Sequence, residues 1–289
     1  MNEFLAWFYW NPPREAFTIP IIDRPVMWYG VLFVAGLIMA YFMIIPIFQR
    51  ALEKNHPLTA KKDSTFLADK MVWYAIIGIL VGARLGEVFF YEWPRYQAHP
   101  LDIFKIWEGG LASHGGTVGM LIAMFLYHRN IVKKFPEISF ISLIDIVCIP
   151  TGIVIVCIRL GNFFNQEIIG NETMVPWAII FGNAADGSIP VPRHPTQLYE
   201  ALAYLVIFIS LYFLWRFRGA NLKPGTISGL FFIGVFGSRF IIEFWKTPLS
   251  MMINENTLHM GQYLSIPFIL LGIGLLAFKP ASSKNSTIT

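Results

Sequence analysis

The stretch ISFISLIDIVCIPTGIVIVCI, from Ile138 to Ile158, carries a single charged residue, Asp145. A helix needs about 20 mostly apolar residues to cross the hydrocarbon core of a bilayer, and this stretch is long enough to do so. Six further apolar stretches occur on either side of it. The sequence therefore predicts an all-α, polytopic membrane bundle with spans at about 27–48, 71–91, 111–127, 138–158, 198–215, 227–245 and 261–278.

The composition agrees with a membrane protein. Of the 289 residues, 55% are hydrophobic and 14% are charged, and the mean hydropathy is +0.56. A soluble domain usually has about 25% charged residues. No polar stretch is long enough to form a separate soluble domain, so we predict one integral membrane domain over 1–289. The first 26 residues lack a basic start followed by an apolar core, and we expect no cleavable signal peptide.

The basic residues between the spans predict the orientation of the chain. One alternate set of gaps holds thirteen Lys and Arg, and the other set holds seven. Because basic residues favour the cytoplasmic side, we expect the N-terminus outside and the C-terminus in the cytoplasm. The same distribution argues against a nucleic-acid partner despite the basic pI of 9.0.

The two cysteines and the motif content argue against a cofactor. Cys148 and Cys157 lie nine residues apart in one apolar stretch, a spacing that matches no metal or redox motif. We expect both to be packing residues. No metal motif, phosphate loop or dinucleotide fingerprint is present, so no cofactor and no metal are expected.

Several ionisable residues fall inside the predicted spans, where each costs roughly 2.5–3.5 kcal/mol. Arg84 and Glu87 share one helix face at i, i+3, and Arg239 and Glu243 share another at i, i+4. Each pair by itself is equally compatible with a self-neutralising structural pair. In the predicted orientation, however, the polar residues at or near the outer ends of spans share one depth: Tyr29, Arg84, Glu87, His114, Arg159, Glu200, Arg239 and Glu243. Only Asp145 lies on the inner side. The common depth of the other eight residues favours a shared site.

Two glycine-rich segments adjoin these spans. RLGNFFNQEIIG, Arg159 to Gly170, is predicted to lie in the connection between the fourth and fifth spans. Its guanidinium and carboxamides are groups that bind phosphate or carbonyl oxygens. EGGLASHGG, Glu108 to Gly116, surrounds His114 with glycines. A histidine there is a candidate general base, with a structural role as the alternative.

These strings resemble the signatures of one family, the bacterial prolipoprotein diacylglyceryl transferases. The long string is similar to that family's pattern of Arg, Gly-Asn-Phe, Asn, Glu and Gly. The shorter ones follow the family's order across most of the chain: WYG (Trp28 to Gly30), GARLG (Gly82 to Gly86), HGGTVG (His114 to Gly119), HPTQLYE (His194 to Glu200) and SRFIIEF (Ser238 to Phe244). Two departures are that Met27 stands where a basic residue often precedes WYG, and that Ile169 replaces a bulkier aromatic.

The resemblance implies a seven-span enzyme of the bacterial plasma (inner) membrane, with its active site toward the periplasmic leaflet. Such an enzyme transfers the diacylglyceryl group of phosphatidylglycerol to the lipobox cysteine of a prolipoprotein. A thioether forms and glycerol-1-phosphate leaves, in the first step of lipoprotein maturation. The expected partners are thus phosphatidylglycerol, other membrane lipid and the prolipoprotein.

Roles for the candidate residues follow from this chemistry. Guanidinium groups suit a departing phosphate ester, so Arg159 and Arg239 are assigned to phosphate binding and His114 is the candidate base. Asn162, Asn165 and Glu167 are expected to hold the headgroup and orient Arg159, and Glu243 to fix Arg239. The remaining expected substrate contacts are Tyr29, Arg84, Gly170 and Tyr199. Glu87 and Asp145 receive no role.

Three other classes are weighed against this one. A transporter should carry polar residues on both sides of the midplane. A retinal receptor needs a lysine in its last span, and Gly261 to Phe278 has none. An intramembrane serine protease is suggested only by Ser228-Gly229 in GTISG.

Overall fold

The computed structural model describes residues 7–20, 23–105, 110, 112–247 and 258–277, and it is mainly helical. The α-helices of the described residues are α1 (Trp28–Leu52), α2 (Ala60–Phe90), α3 (Trp93–Ala98), α4 (Ser113–Ile131), α5 (Phe140–Asn165), α6 (Thr196–Arg218), α7 (Thr226–Ile242) and α8 (Met260–Ala277). Short 3₁₀ helices cover Pro100–Phe104, Gly219–Asn221 and Glu243–Trp245.

The predicted polytopic α-helical bundle is confirmed. Among the described residues, six helices are long and apolar enough to cross a bilayer, namely α1, α2, α5, α6, α8 and the stretch Thr226–Trp245 that α7 begins. Helix α4, at the predicted third span, is a further apolar helix of 19 residues. The orientation of the termini stays a prediction.

The chain forms two compact units, Met43–Leu143 on one hand and Met1–Phe42 with Ile144–Thr289 on the other. The first unit contains α2, α3 and α4. The second contains α6, α7 and α8 with most of α5. The prediction of one membrane domain over the whole chain stays a prediction.

Two helix boundaries correct the sequence prediction. Helix α2 begins at Ala60, before the span predicted from Met71, because its first turns are rich in charged residues and fall outside an apolar window. Helix α5 continues to Asn165, past the predicted end at Ile158. The first half of RLGNFFNQEIIG was expected in a loop. It is helical, so Arg159 is fixed by a rigid element.

In the unit Met43–Leu143, glycines bring α2 and α4 into close contact. Gly78 and Gly82 lie on successive turns of α2, and Gly115 and Gly119 on successive turns of α4. A Cβ on Gly78 would lie 2.7 Å from the Gly119 carbonyl oxygen, and one on Gly119 would lie 2.8 Å from the Gly82 Cα. Small residues four apart allow two membrane helices to pack backbone against backbone. The glycines of the predicted third span are thus part of a helix contact.

Replacing Gly119 by Ala should therefore destabilise the protein, whereas Gly116→Ala on the same helix should not. A Cβ on Gly116 would meet its nearest atom, the Ala83 Cβ, at an ordinary 3.5 Å. We expect a loss of about 1–3 kcal/mol for Gly119→Ala from overpacking and a change within about 1 kcal/mol for Gly116→Ala. Thermal unfolding in detergent measures both. Equal midpoints for the two variants would contradict this contact.

Five short strands accompany the helices: β1 (Phe8–Trp10), β2 (Glu15–Ile19), β3 (Arg24–Met27), β4 (Ile179–Phe181) and β5 (Pro192–Arg193). The first sheet has the order β1-β4-β5, in which β4 pairs parallel with β1 and antiparallel with β5. The second sheet consists of β2 and β3, which pair antiparallel. A small apolar cluster of Phe163, Ile169, Ile179, Phe181 and Ala184 joins the first sheet to the end of α5. The Trp10 indole N–H donates to the Phe163 carbonyl at 3.0 Å. This layer fixes the segment that follows Arg159.

Asp145, which had no role in the sequence prediction, caps the start of α7. Its Oδ2 accepts from the Gly225 N–H, and its Oδ1 accepts from the N–H and the hydroxyl of Ser228, each at 2.7 Å. A carboxylate at a helix N-terminus satisfies free N–H groups and suits the helix dipole. Ser228 is fully buried and its hydroxyl is used in this cap. The serine that suggested a protease is thus part of a helix terminus.

Because Asp145 satisfies three buried donors, Asp145→Ala should lower the free energy of unfolding by about 2–4 kcal/mol. Asp186 is a suitable control, since this exposed aspartate accepts one backbone N–H, from Ser188 at 3.0 Å. We expect Asp186→Ala to change the stability by less than about 1 kcal/mol. Thermal unfolding compares them, and a smaller loss for Asp145→Ala than for Asp186→Ala would refute the cap.

Candidate active site

Arg159 lies in the last two turns of α5, where its side chain is buried against α6. Its Nε lies 2.9 Å from Oε2 of Glu200, which stands in the first turns of α6 and is fully buried. The pair is close, although Oε2 has no well-aligned hydrogen bond among the described residues. Arg159 Nη1 donates to Oδ1 of Asn162 at 3.1 Å. The guanidinium is therefore held from two sides.

A relay of carboxamides continues from Arg159 to Glu167. Asn162 Nδ2 donates to Glu167 Oε2 at 2.9 Å, and Asn165 Nδ2 donates to Glu167 Oε1 at 2.8 Å. Both oxygens of Glu167 are thus engaged by asparagines that stand three residues apart on α5. Asn162 thus contacts Arg159 directly, and the expected contact of these residues with a headgroup stays a prediction.

The backbone around Glu167 is strained. Gln166 has φ 55° and Ile168 has φ 54°, a left-handed conformation that is uncommon for residues other than glycine. The start of α6 holds the loop in place: Thr196 Oγ1 donates to the Ile168 carbonyl at 2.9 Å, and Gln197 Nε2 donates to the Glu167 carbonyl at 2.6 Å. Such strain persists only where neighbouring groups over-determine it, and it often marks a functional site.

A second cation reaches the same carboxylate. Lys246, which is 4% exposed, donates to Glu200 Oε1 at 2.8 Å and lies 3.1 Å from Glu243 Oε2. Glu200 therefore bridges Arg159 of α5 and Lys246 of the segment after α7. The expected contact of Glu243 with Arg239 is not among the contacts of the described residues, and the carboxylate pairs with Lys246 instead.

Arg239 stands apart from this paired network. Its side chain is half-buried, and within the described ranges no hydrogen bond or ion pair to its guanidinium is present. It is nevertheless close to the network, because the charges of Arg159 and Arg239 both act on the hydroxyl of Tyr204, which in turn donates to Glu200 Oε1 at 3.3 Å. A guanidinium with unused donors next to a satisfied one is suited to an anionic ligand.

Gly170 lies where three backbone segments meet. Its N–H donates to the His194 carbonyl at 3.0 Å, and the next N–H, of Asn171, donates to the Trp245 carbonyl at 2.8 Å. A Cβ on Gly170 would lie 2.6 Å from the His194 Cβ and 2.8 Å from the Trp245 oxygen. The position therefore accepts only glycine, and this junction positions Lys246.

Tyr199 lies in a cluster of ring side chains next to this junction. Its hydroxyl accepts from the Trp177 indole N–H at 2.7 Å and lies 3.0 Å from Nδ1 of His194. Burial lowers the pKa of His194 below its ordinary value, which favours the neutral form of its ring at pH 7. This arrangement explains the fixed position of Tyr199, while its predicted contact with substrate stays a prediction.

Tyr29 belongs to the same part of the molecule. It is the second residue of α1, and its ring packs against Gly161 of α5. The charges of Glu167 and Arg159 both act on its hydroxyl. The structure thus brings Tyr29, Arg159, Asn162, Asn165, Glu167, Gly170 and Glu243 into one unit with Arg239.

The two remaining candidates lie in the unit Met43–Leu143. Arg84 is buried and donates to the carbonyls of Ile103 at 2.8 Å, Gly110 at 3.1 Å and Asp102, which ties the segment before α4 to α2. These bonds explain its burial, and a substrate contact of Arg84 stays a prediction. His114 belongs to the first turn of α4, and its side chain lies outside the described residues.

The sequence analysis did not single out Lys246. It predicted the depth of Glu200 in the membrane but assigned this residue no role. Lys246 reads as an ordinary basic residue at the end of a span, and it was counted as such for the orientation. The available signal was the spacing, because Glu243 and Lys246 stand at i, i+3 next to the expected Arg239–Glu243 pair.

The fold and the site together define a multi-pass membrane protein with a buried network of acidic and basic side chains, and with an Arg239 guanidinium that has no partner among the described residues. The sequence model of the prolipoprotein diacylglyceryl transferase family matches residues 15–278. The chain is similar to phosphatidylglycerol–prolipoprotein diacylglyceryl transferases from several bacteria. It is 42% identical to that of Protochlamydia amoebophila, covering 95% of this chain and 96% of the relative. It is 42% identical to that of Tolumonas auensis, over 93% and 96%, and 41% identical to that of Porphyromonas gingivalis, over 94% of each. The chain belongs to the prolipoprotein diacylglyceryl transferase family.

The junction at Gly170 gives a direct test of the site geometry. Gly170→Ala should lower stability by about 1–3 kcal/mol, because the added methyl group overlaps backbone on two sides. Gly237→Ala in α7 is the matched control, since a Cβ there meets nothing within 4 Å. Thermal unfolding in detergent compares the two variants. If Gly170→Ala unfolded at the wild-type midpoint, the close approach of the three segments would be wrong.

Proposed function

We propose that this protein transfers the diacylglyceryl group of phosphatidylglycerol to the lipobox cysteine of prolipoproteins, the first step of lipoprotein maturation. Family membership supports the reaction, and the names of the relatives specify the lipid donor and the protein acceptor. The observation that carries the proposal is the half-buried Arg239 guanidinium, without a described partner, beside the restrained Arg159. An anionic lipid headgroup is the ligand that such a pair of cations suits.

The reaction makes three chemical demands. The cysteine sulfur attacks the glycerol carbon that carries the phosphate ester, and the carbon–oxygen bond breaks. The electron pair leaves with glycerol-1-phosphate, and the thiol proton passes to a base. A free thiol has a pKa of about 8.5, so a positive field or a base is needed to form the thiolate.

The residues of the site are suited to stabilise the leaving phosphate. Arg159 and Arg239 neutralise the charge that develops on the leaving phosphate, and a guanidinium that donates two parallel hydrogen bonds suits its oxygens. Arg159 needs no rearrangement, since Glu200 and Asn162 already fix its plane. Asn162, Asn165 and Glu167 form the polar wall beside it, where the glycerol headgroup is placed in this proposal.

The base and the location complete the proposal. We assign the thiol proton to His114, with Tyr29 as the alternative polar contact. The protein is placed in the bacterial plasma (inner) membrane, with the site toward the periplasmic leaflet, where an exported prolipoprotein presents its cysteine. The thirteen-to-seven distribution of basic residues between alternate gaps supports this orientation.

The proposal is tested by incubating the purified protein with phosphatidylglycerol vesicles and a lipobox peptide. Mass spectrometry should find a diacylglyceryl mass on the cysteine. Arg159→Ala and Arg239→Ala should each lower kcat/KM by about 10²–10³-fold, since each removes a charge-assisted donor from the leaving phosphate. The matched control is Arg218→Ala, because Arg218 is exposed at the other end of α6 from Glu200.

Three outcomes would each contradict a different part of the proposal. Wild-type protein that leaves the peptide mass unchanged would refute the reaction. Full transfer by both arginine variants would leave the reaction intact and refute the assigned phosphate site. Full transfer by His114→Gln would reassign the base alone.

A further inference from the structure

Glu243 stands between two cations and contacts only one of them among the described residues. Arg239 precedes it by four residues, and the intervening backbone is helical. Residues at i and i+4 lie on the same helix face, within reach of an ion pair. The Glu243 carboxylate nevertheless lies 3.1 Å from Lys246 Nζ. Something therefore favours Lys246 over Arg239.

The position of Lys246 is fixed by its backbone. The flanking residues pair with the strained signature segment: the Trp245 carbonyl accepts from Asn171 at 2.8 Å, and the Thr247 N–H donates to the Ile169 carbonyl at 3.3 Å. The ammonium group is also anchored to Glu200 at 2.8 Å. Besides the bond from its own N–H to the Glu243 carbonyl at 3.1 Å, Lys246 is thus placed by contacts that do not involve the Glu243 carboxylate.

The Glu243 carboxylate is confined from the opposite side as well. A Cβ on Gly261 of α8 would lie 2.6 Å from Glu243 Oε2. His259 Nδ1 lies 3.1 Å from the Glu243 carbonyl oxygen. The start of α8 therefore leaves the carboxylate a narrow space, and in that space it faces Lys246.

The charges around this point are balanced in number. Three carboxylates, Glu167, Glu200 and Glu243, accompany three cations, Arg159, Arg239 and Lys246. If Glu243 paired with Arg239, the guanidinium would be neutralised by a carboxylate in a poorly screened environment, where opposite charges attract strongly. A phosphate would then have to displace that carboxylate before it could bind.

We propose that Lys246 is a positioning residue that holds Glu243 away from Arg239 and so keeps the Arg239 guanidinium available for the lipid phosphate. This inference rests on the proposed function, because it assigns Arg239 the phosphate of phosphatidylglycerol. Lys246 itself touches neither the lipid nor the cysteine. Its effect on the reaction passes through Glu243 and Arg239.

The test is a set of double-mutant cycles in the vesicle and lipobox-peptide assay. Lys246→Met should lower kcat/KM for phosphatidylglycerol by about 10- to 100-fold, because Glu243 then turns to Arg239. Lys246→Arg, which keeps a cation for Glu243, should retain activity within about fivefold of wild type. In the Arg239→Gln background, Lys246→Met should cost less than about twofold, since two residues that act through one contact are not additive.

A second pair of variants separates positioning from simple folding. If the single variant Lys246→Met fails to fold, Lys246→Met/Glu243→Gln removes one of the two carboxylates that lose their shared cation, while the other, Glu200, keeps Arg159. That double variant should match Glu243→Gln within about threefold, because no carboxylate is then left to occupy Arg239. Thermal unfolding of each variant confirms that folded proteins are compared.

Specific results would overturn the inference. If Lys246→Met lowered kcat/KM by the same factor in the Arg239→Gln background as in the wild type, Lys246 would act independently of Arg239. A Lys246→Met/Glu243→Gln protein that is folded yet much slower than Glu243→Gln would show that Lys246 does not act through Glu243. Either result with active wild-type protein refutes only the role of Lys246, whereas wild-type protein that transfers nothing refutes the proposed function.

Discussion

The site depends on one fully buried carboxylate, that of Glu200, which is held between two cations. An isolated charge away from water is costly, and removing one partner of a buried pair typically costs about 3–5 kcal/mol. Glu200 stands in α6, Arg159 comes from α5, and Lys246 comes from the segment after α7. Each element therefore brings a charge that is stable only where the other two are in place. This mutual requirement fixes the relative positions of these three elements more sharply than apolar packing between helices would.

The strained signature segment follows from the same constraint. Gln166 and Ile168 adopt left-handed backbone conformations, which allow Glu167 to face the two asparagines of α5. The hydrogen bonds that hold this conformation come from Thr196 and Gln197, at the start of the helix that carries Glu200. One helix terminus thus supplies both the central carboxylate and the bonds that offset the strain. The central carboxylate and the signature segment are therefore held by the same end of α6.

Much of this architecture could be predicted from sequence, because bilayer thickness sets the length of an apolar span. The helices were found wherever apolar stretches were long. A charge inside a span singled out Arg239, whereas Arg159 was singled out by the signature segment that follows the predicted fourth span. The short strands and the cluster around Phe163 could not be predicted, since three-residue strands carry too little pattern to be distinguished from loops. The end of α5 was also missed, because hydropathy falls at Arg159 although the helix continues to Asn165. Helicity there depends on burial of polar groups by neighbouring segments, which a one-dimensional pattern does not contain.

The partner of Glu243 shows why spacing alone does not predict a site. An i, i+4 rule states which side chains are able to meet, and it made Arg239 the expected partner. It does not state which of two cations a carboxylate will choose, because that depends on groups brought from other parts of the chain. Here Glu200 and the backbone pairs at Gly170 bring Lys246 close, and Gly261 limits the space on the other side. A guanidinium that must bind a passing anion needs to remain incompletely satisfied in the resting protein. A neighbouring carboxylate that pairs with another cation is compatible with that need, since among the described residues the Arg239 guanidinium then has no partner.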